Sequence, residues 1–185
     1  MKNIKLAFRY ANALYDLALE MGNVENVFSD IAQIQEVITA NKELKIVLES
    51  PVVPKDKKQN IIREVFQKNV TETTFRFFTL IAKKNRTAHL LMICRQFVKI
   101  YYKDHNIKEA FITSAQPLSE KNQLYLKAFL EENAPYTFKI HFSVDPQIIG
   151  GLIIKIDDYY YDASIQSKIN KLKVEFSQNA YAAGF

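Results

Sequence analysis

Apolar residues recur along the first hundred positions at the three-and-four spacing of helices. The first helix is predicted from about Ile4 to Met21. Its polar residues Lys5, Arg9, Asn12, Asp16 and Glu20 crowd into one narrow arc, and apolar side chains cover about two-thirds of the circumference at roughly 100° per residue. A surface helix needs an apolar stripe only about 100° wide. The central stripe is Ala7, Ala11, Leu14, Ala18 and Met21. One flank carries Leu6, Tyr10, Ala13 and Leu17, the other Phe8, Tyr15 and Leu19. Such a helix either lies in the middle of its own bundle or offers one flank to an amphipathic helix of another chain.

Gly22-Asn23 ends this helix, and Val24, Val27, Phe28, Ile31, Ile34 and Ile38 form the single stripe of a second, to about Ala40. A short third helix holds Leu44, Val47 and Leu48. Ser50-Pro51-Val52-Val53-Pro54 is a rigid turn. Lys55 to Lys68 forms a fourth helix with Ile61, Ile62, Val65 and Phe66 inward. Thr71 caps a fifth, to about Asn85, and Glu72 in its first turn suits the helix dipole. This helix is again apolar nearly all round: Phe75, Phe77, Phe78, Leu80, Ile81 and Ala82. The first and fifth helices thus carry more apolar surface than one core contact uses, and side by side their spare flanks would form a groove. A sixth helix, about Ala88 to His105, points Leu91, Cys94, Val98 and Tyr101 inward. Six helices of these lengths make a bundle.

Beyond about residue 106 the period changes. Lys108 to Ser114 is a predicted strand, and Ser119 caps a helix packed by Leu124, Leu126, Phe129 and Leu130. Thr137 to Val144 alternates Phe138, Ile140, Phe142 and Val144 with polar residues, the pattern of a half-buried strand. Asp145-Pro146 fixes a bend, Gly150-Gly151 permits a bulge or turn, and Leu152 to Ile156 is a strand. Asp157-Asp158 turns it into Tyr159 to Tyr161. Asp162 or Ser164 caps a last helix carrying Ile165, Ile169, Leu172 and Phe176. The fold class is α+β, mainly α: a six-helix bundle over 1–106 and a small sheet-plus-helix domain over 107–185.

The chain of 185 residues has a net charge of +5. The charge divides unevenly: 17 Lys/Arg against 11 Asp/Glu (net +6) up to residue 106, and 8 against 9 (net −1) after it. A basic first half allows a second reading, a helical nucleic-acid-binding adaptor. The basic residues are nevertheless scattered among acids, and Lys55-Asp56-Lys57-Lys58 and Lys83-Lys84-Asn85-Arg86 are the only clusters. One cysteine, Cys94, allows no internal disulfide and fits a reducing compartment. No apolar run reaches the roughly 18 residues of a membrane span, and the amino terminus lacks a leader pattern.

Catalytic chemistry is not legible. His89, His105 and His141 stand apart without metal-ligand spacing, and no cofactor motif follows Gly150-Gly151. Cys94 sits at a core position, as a small hydrophobe. Asp157, Asp158 and Asp162 read as turn residues, and Tyr159 to Tyr161 as strand alternation rather than base-stacking platforms. The chain reads as an adaptor, with no catalytic residue, cofactor or metal.

Several local patterns resemble the delta subunit of F-type ATP synthases, the family that includes the mitochondrial oligomycin-sensitivity-conferring protein. They are Phe8-Arg9-Tyr10-Ala11-Asn12-Ala13-Leu14, Ser50-Pro51-Val52-Val53-Pro54 with Lys58, Ala82-Lys83-Lys84-Asn85-Arg86 and Ser114-Ala115-Gln116-Pro117-Leu118-Ser119. The most specific is Val144-Asp145-Pro146-Gln147-Ile148-Ile149-Gly150-Gly151 with Asp162-Ala163-Ser164. Ile149 and Ala163 depart slightly from the family pattern. The resemblance implies a peripheral-stalk, or stator, subunit that keeps the catalytic head from turning with the rotor. It implies that the bundle holds the amino-terminal helix of an alpha subunit between its first and fifth helices, and that the second domain meets the carboxy-terminal end of the b-type stalk. The expected groove residues are Leu6, Tyr10, Ala13, Leu17, Phe75, Phe78 and Ala82, with Tyr10 and Phe78 as anchors. Asp145, Pro146, Gly150 and Gly151 are expected to shape the bend of the second domain. Without a leader, the expected place is the cytoplasmic face of a bacterial cell membrane, held there only through the complex and without nucleic acid.

Overall fold

Apolar periodicity and punctuation fix the elements in the computed structural model, which describes residues 2–179. The chain divides into two compact units between Asp104 and His105. The first holds α1 (Lys2–Glu20), α2 (Val24–Ala40), α3 (Lys42–Glu49), α4 (Lys55–Phe66), α5 (Glu72–Lys83) and α6 (Leu90–Asp104), with a 3-10 turn at Thr87–His89 before α6. The second holds β1 (Ile107–Ser114), α7 (Glu120–Asn133), β2 (Thr137–Val144), a 3-10 turn at Pro146–Ile148, β3 (Leu152–Ile156), β4 (Tyr159–Asp162) and α8 (Ile165–Asn179).

In the first unit α6 is the central helix, packed against α1 and α2, while α4 pairs with α5. The small side chains Ala7, Ala11 and Ala18, all fully buried with Leu14, let α1 approach α6 closely. Tyr15 meets Phe97 edge to face at 5.7 Å and donates its hydroxyl to Asp104 Oδ2 at 2.6 Å. Tyr101 stacks on Phe28 at 3.9 Å and donates to Glu25 Oε2 at 2.7 Å. The inward stripe of α6 is Leu90, Ile93, Cys94, Phe97, Tyr101 and Tyr102. The expected inner residues Leu91 and Val98 are only half-buried. The correction is a small rotation of the helix: it is so apolar that its sequence offers two adjacent stripes, and tight packing against α1 and α2 selects one.

Helix ends are closed locally. Gly22, at φ +64, ends α1 with Gly22 N–H donating to Leu19 O and Asn23 N–H to Ala18 O. Asn85 ends α5 in the same way, donating to Ala82 O, while Arg86 donates to Ile81 O. Thr71 caps α5 by accepting from Thr74 N–H, and Asp30 of α2 accepts from both the Thr71 amide (2.8 Å) and its hydroxyl (2.6 Å). A carboxylate at a helix amino terminus is favourable, and this one pins α2 to α5. The buried Lys58 donates from Nζ to Leu48 O at 3.0 Å, and Thr87 Oγ1 donates to the same carbonyl at 2.9 Å. Burial holds the Lys58 ammonium below its ordinary pKa, and its charge sits at the carboxy-terminal end of α3.

The second unit is one four-stranded sheet, order β2-β1-β3-β4. β1 and β2 are parallel, with α7 as the crossover; β3 is antiparallel to β1 and β4 to β3. Register places Ala110, Ile112 and Ser114 on one face beside Ile140, Phe142 and Val144, and beside Ile156, Ile154 and Leu152. Ala110, Ile112, Phe138 and Ile148 are the buried apolar residues here. The cover stops early: Phe142 and Val144 alternate as expected but lie exposed. α7 buries no residue, and its expected packing residues Leu124 and Phe129 are exposed.

Candidate functional site

Of the two spare flanks of α1, one faces α5. Leu6 and Tyr10 are half-buried on it, Ala13 is exposed, and Leu17 is 39% exposed. Tyr10 meets Phe77 of α5 edge to face at 6.4 Å. Toward the end of α1, Leu17 and Met21 face Thr73, Phe77 and Leu80 across a depression of about 400 Å³, with Glu72 and Arg76 at its rim. Glu72 and Arg76 are paired with each other one turn apart on α5. The lining is therefore apolar, and the rim charges are already balanced. Such a furrow fits the apolar side of a helix.

The α5 side of this furrow differs from the sequence expectation. Phe78 and Ala82 are each 1% exposed and belong to the core: Phe78 packs between Phe66 at 6.5 Å and Phe77 at 5.9 Å. Neither is open to a partner, and Phe75 is half-buried outside the depression. Of the α5 residues that line the depression, Leu80 is 45% exposed and Thr73 half-buried, while Phe77, at 8%, is part of the core and forms the floor. The reason is again rotation. α5 has apolar side chains on almost every bearing, and Thr74 joins Phe77, Phe78, Ile81 and Ala82 on the buried face. A threonine in the core turns the helix by about one residue relative to a purely apolar reading. The signal that could have found this is the Asp30–Thr71–Thr74 cap, which fixes the rotation of α5 at its start.

The other flank of α1 divides. Tyr15 is consumed by α6, whereas Ile4, Phe8 and Leu19 are exposed.

In the second unit Asp145 Oδ1 accepts from Gln147 N–H at 3.0 Å, and Pro146 opens the 3-10 turn. Gly151 sits at φ +80, where a Cβ would lie 2.3 Å from the Ala163 carbonyl oxygen; only glycine fits. A Cβ on Gly150 would meet Ile165 Cδ1 at 2.7 Å. Ile149 adopts φ 66, ψ −40, and Gly150 N–H donates to Ile148 O at 2.7 Å across it. That is a positive-φ γ-turn, a strained conformation for a β-branched residue. Asp162 Oδ1 accepts from Ser164 N–H at 2.9 Å, and hydrogen bonding from the Ser164 hydroxyl first, and then from its amide, holds the Asp162 carboxyl below the usual range. Ser164 Oγ accepts from Ser167 N–H at 3.1 Å as the cap of α8. A shallow cavity of about 530 Å³ lies between α7 and the edge strand β2, lined by Gln123, Leu124, Phe138, Ile140 and Phe142 among others.

Titratable groups do not converge on any of these surfaces. Burial pushes the Cys94 thiol up to about 12, which makes it a poor nucleophile. His141 meets Glu109 at 3.2 Å on the sheet and stacks on Phe111. Among the described residues no group of three or more His, Cys, Asp or Glu could hold a metal ion, and no helix is long and apolar enough to cross a membrane.

The sequence profile described as "ATP synthase delta (OSCP) subunit" matches residues 6–176. ATP synthase subunit delta of Cytophaga hutchinsonii is 34% identical over 178 residues, covering 96% of this chain and 97% of that protein. The Salinibacter ruber protein of the same name is also 34% identical, with 95% of each chain covered. A chain in the structure titled as the Toxoplasma gondii mitochondrial ATP synthase hexamer shares the fold with a TM-score of 0.70 at 19% identity, over 92% of this chain and 97% of that one. With the profile spanning nearly all of both units, this chain belongs to the ATP synthase delta (OSCP) subunit family.

Proposed function

We propose that this chain, as a peripheral-stalk subunit of an F-type ATP synthase, is the joint between the catalytic head and the stalk. The bundle takes the amino-terminal helix of an alpha subunit into the furrow between α1 and α5. The second unit takes the carboxy-terminal end of the b-type stalk chain. The role is mechanical and uses no catalytic residue and no cofactor. The chain then sits at the cytoplasmic face of the cell membrane and reaches the bilayer only through the complex. The observation that carries this reading is the apolar furrow that Leu17, Met21, Phe77 and Leu80 line between α1 and α5. Exposed apolar side chains on α7 and α8 support the second contact.

Binding under load needs apolar burial with well-packed anchors. A helix contact of about 1,500 Å² total falls in the range of stable interfaces, and apolar area contributes about 25 cal/mol per Å² before ordering costs. Membership of the delta family favours this reading over a nucleic-acid adaptor, and so does the apolar, charge-balanced furrow. The test is coupling in membranes carrying Leu80→Asp. ATP hydrolysis should persist while ATP-driven proton pumping falls severalfold, because the head slips against its stalk. Pumping at the unmodified level would contradict the proposal.

A further inference from the structure

The furrow holds one side chain whose polarity is open to chemical change. Met21 lines it beside Leu17, across from Thr73 and Leu80, and is 59% exposed. Its backbone is fixed: Met21 N–H donates to Leu17 O at 3.1 Å, and Gly22 at φ +64 ends the helix directly after it. Its sulfur is held too. Thr73 Oγ1 donates to Met21 Sδ at 3.5 Å across the furrow. Asn23 Nδ2 donates to Thr73 Oγ1 at 3.2 Å, so one lone pair of that oxygen is taken and its own proton is left for the sulfur.

A thioether is oxidised reversibly to a sulfoxide. The Met21 sulfur attacks one oxygen of hydrogen peroxide with a lone pair. The O–O bond breaks, an S–O bond forms, and the proton of the attacked oxygen passes to the departing hydroxide, making water. Sulfur loses two electrons and the peroxide gains them. The product is polar where the thioether was apolar, and its oxygen is a stronger acceptor than sulfur. The Thr73 hydroxyl already points at this sulfur and can donate to the new oxygen. That bond keeps the dipole inside the furrow instead of letting a flexible side chain turn it to water. A helix seated there would bury the sulfoxide against its apolar side, at the cost of desolvating it. The other sulfurs are placed differently. Met92, on α6, is half-buried and does not line the furrow. Cys94 is fully buried, and burial keeps its thiol protonated and slow to oxidise.

We propose that Met21 is a reversible oxidation site that controls entry to the furrow: the thioether admits an apolar helix and the sulfoxide rejects it. Resting on the reading of the furrow as the seat of the alpha subunit's amino-terminal helix, the site acts before assembly, because a seated helix covers the sulfur.

The experiment treats the full chain with hydrogen peroxide and follows each methionine by peptide mass spectrometry. Reduced and oxidised chains are then titrated by calorimetry with a peptide of the alpha subunit's amino-terminal segment. Met21 should oxidise ahead of Met92, and binding should weaken about tenfold with unchanged far-UV circular dichroism, as for an interface anchor. Methionine sulfoxide reductases acting on both epimers should restore it. Met21→Leu should bind equally before and after peroxide, which separates Met21 from Met1 and Met92. Peptide present during the treatment should slow oxidation of Met21 and leave that of Met92 unchanged. In Thr73→Val the loss on oxidation should be smaller than in the parent. Parent-level binding by a chain fully oxidised at Met21, an equal loss in oxidised Met21→Leu, or loss of helical signal on oxidation would overturn the site. A loss in Thr73→Val as large as the parent's would overturn the role of its hydroxyl. Failure of the reduced parent to bind the peptide would instead overturn the reading of the furrow.

Discussion

At the scale of single residues, two buried phenols tie the bundle to pH. Burial and the hydrogen bond to Glu25 push Tyr101 up to about 12, and burial with Asp104 raises Tyr15 as well. An unfolded tyrosine ionises near 10. Above that value the unfolded chain sheds protons that the folded chain keeps, so stability falls as pH rises from about 10 to about 12. Below 10 these groups leave stability independent of pH. Tyr101→Phe should cost about 1–2 kcal/mol at neutral pH through the lost bond to a carboxylate and should remove part of the alkaline loss. Urea unfolding at pH 7, 10 and 11.5 measures both; an unchanged alkaline slope would contradict the assignment. Ile149 makes the opposite case. Its positive φ carries strain of about 1–3 kcal/mol, and its side chain is 56% exposed. Ile149→Gly removes the strain at an entropic cost of about 0.5–1 kcal/mol, so thermal unfolding should shift upward by a net of about 1 kcal/mol. A downward shift would mean that the exposed isoleucine packs on its own unit.

At the scale of elements, the faces of α5 separate core from contact. Phe78→Ala should destabilise the bundle by about 3–5 kcal/mol, whereas Leu80→Asp at an exposed position should stay within about 0.5 kcal/mol. Equal losses from the two, read by denaturant midpoints, would contradict the rotation of α5 described above. This rotation also marks where the sequence stopped being informative. Caps and turns were legible because their chemistry is local: Gly22, Thr71, Ser119 and Ser164 each close a helix with atoms within a few residues. The buried face of α1 was legible because its alanine stripe leaves one choice of core face. α5 and α6 were not, because both are apolar on more than one bearing and only tertiary contacts, Asp30 with Thr71 and Phe97 with Tyr15, select one. The bareness of α7 was also illegible, since an apolar stripe predicts burial without saying whose surface covers it.

At the scale of the whole molecule, each unit leaves apolar surface of its own uncovered, and the two surfaces differ in kind. In the bundle it is a furrow between two helices, and one lining side chain, Phe77, is held edge to face by Tyr10 and Phe78. In the second unit it is the outer face of helices that bury almost nothing against their own sheet. A preformed furrow binds without large ordering costs, which suits a contact that carries torque. Bare helices suit a partner that folds its own helix alongside. On the proposed function, a joint with two unlike surfaces cannot exchange its partners.

The most direct measurement is a calorimetric titration of the full chain with a peptide of the alpha subunit's amino-terminal segment, at 50 and 200 mM salt. The furrow account predicts binding that weakens by less than about tenfold between the two salts and by tenfold or more in Leu80→Asp, with Val174→Asp unchanged. No binding, binding indifferent to Leu80→Asp, or affinity falling by about 10³-fold or more with salt, as for a phosphate-binding surface, would contradict it.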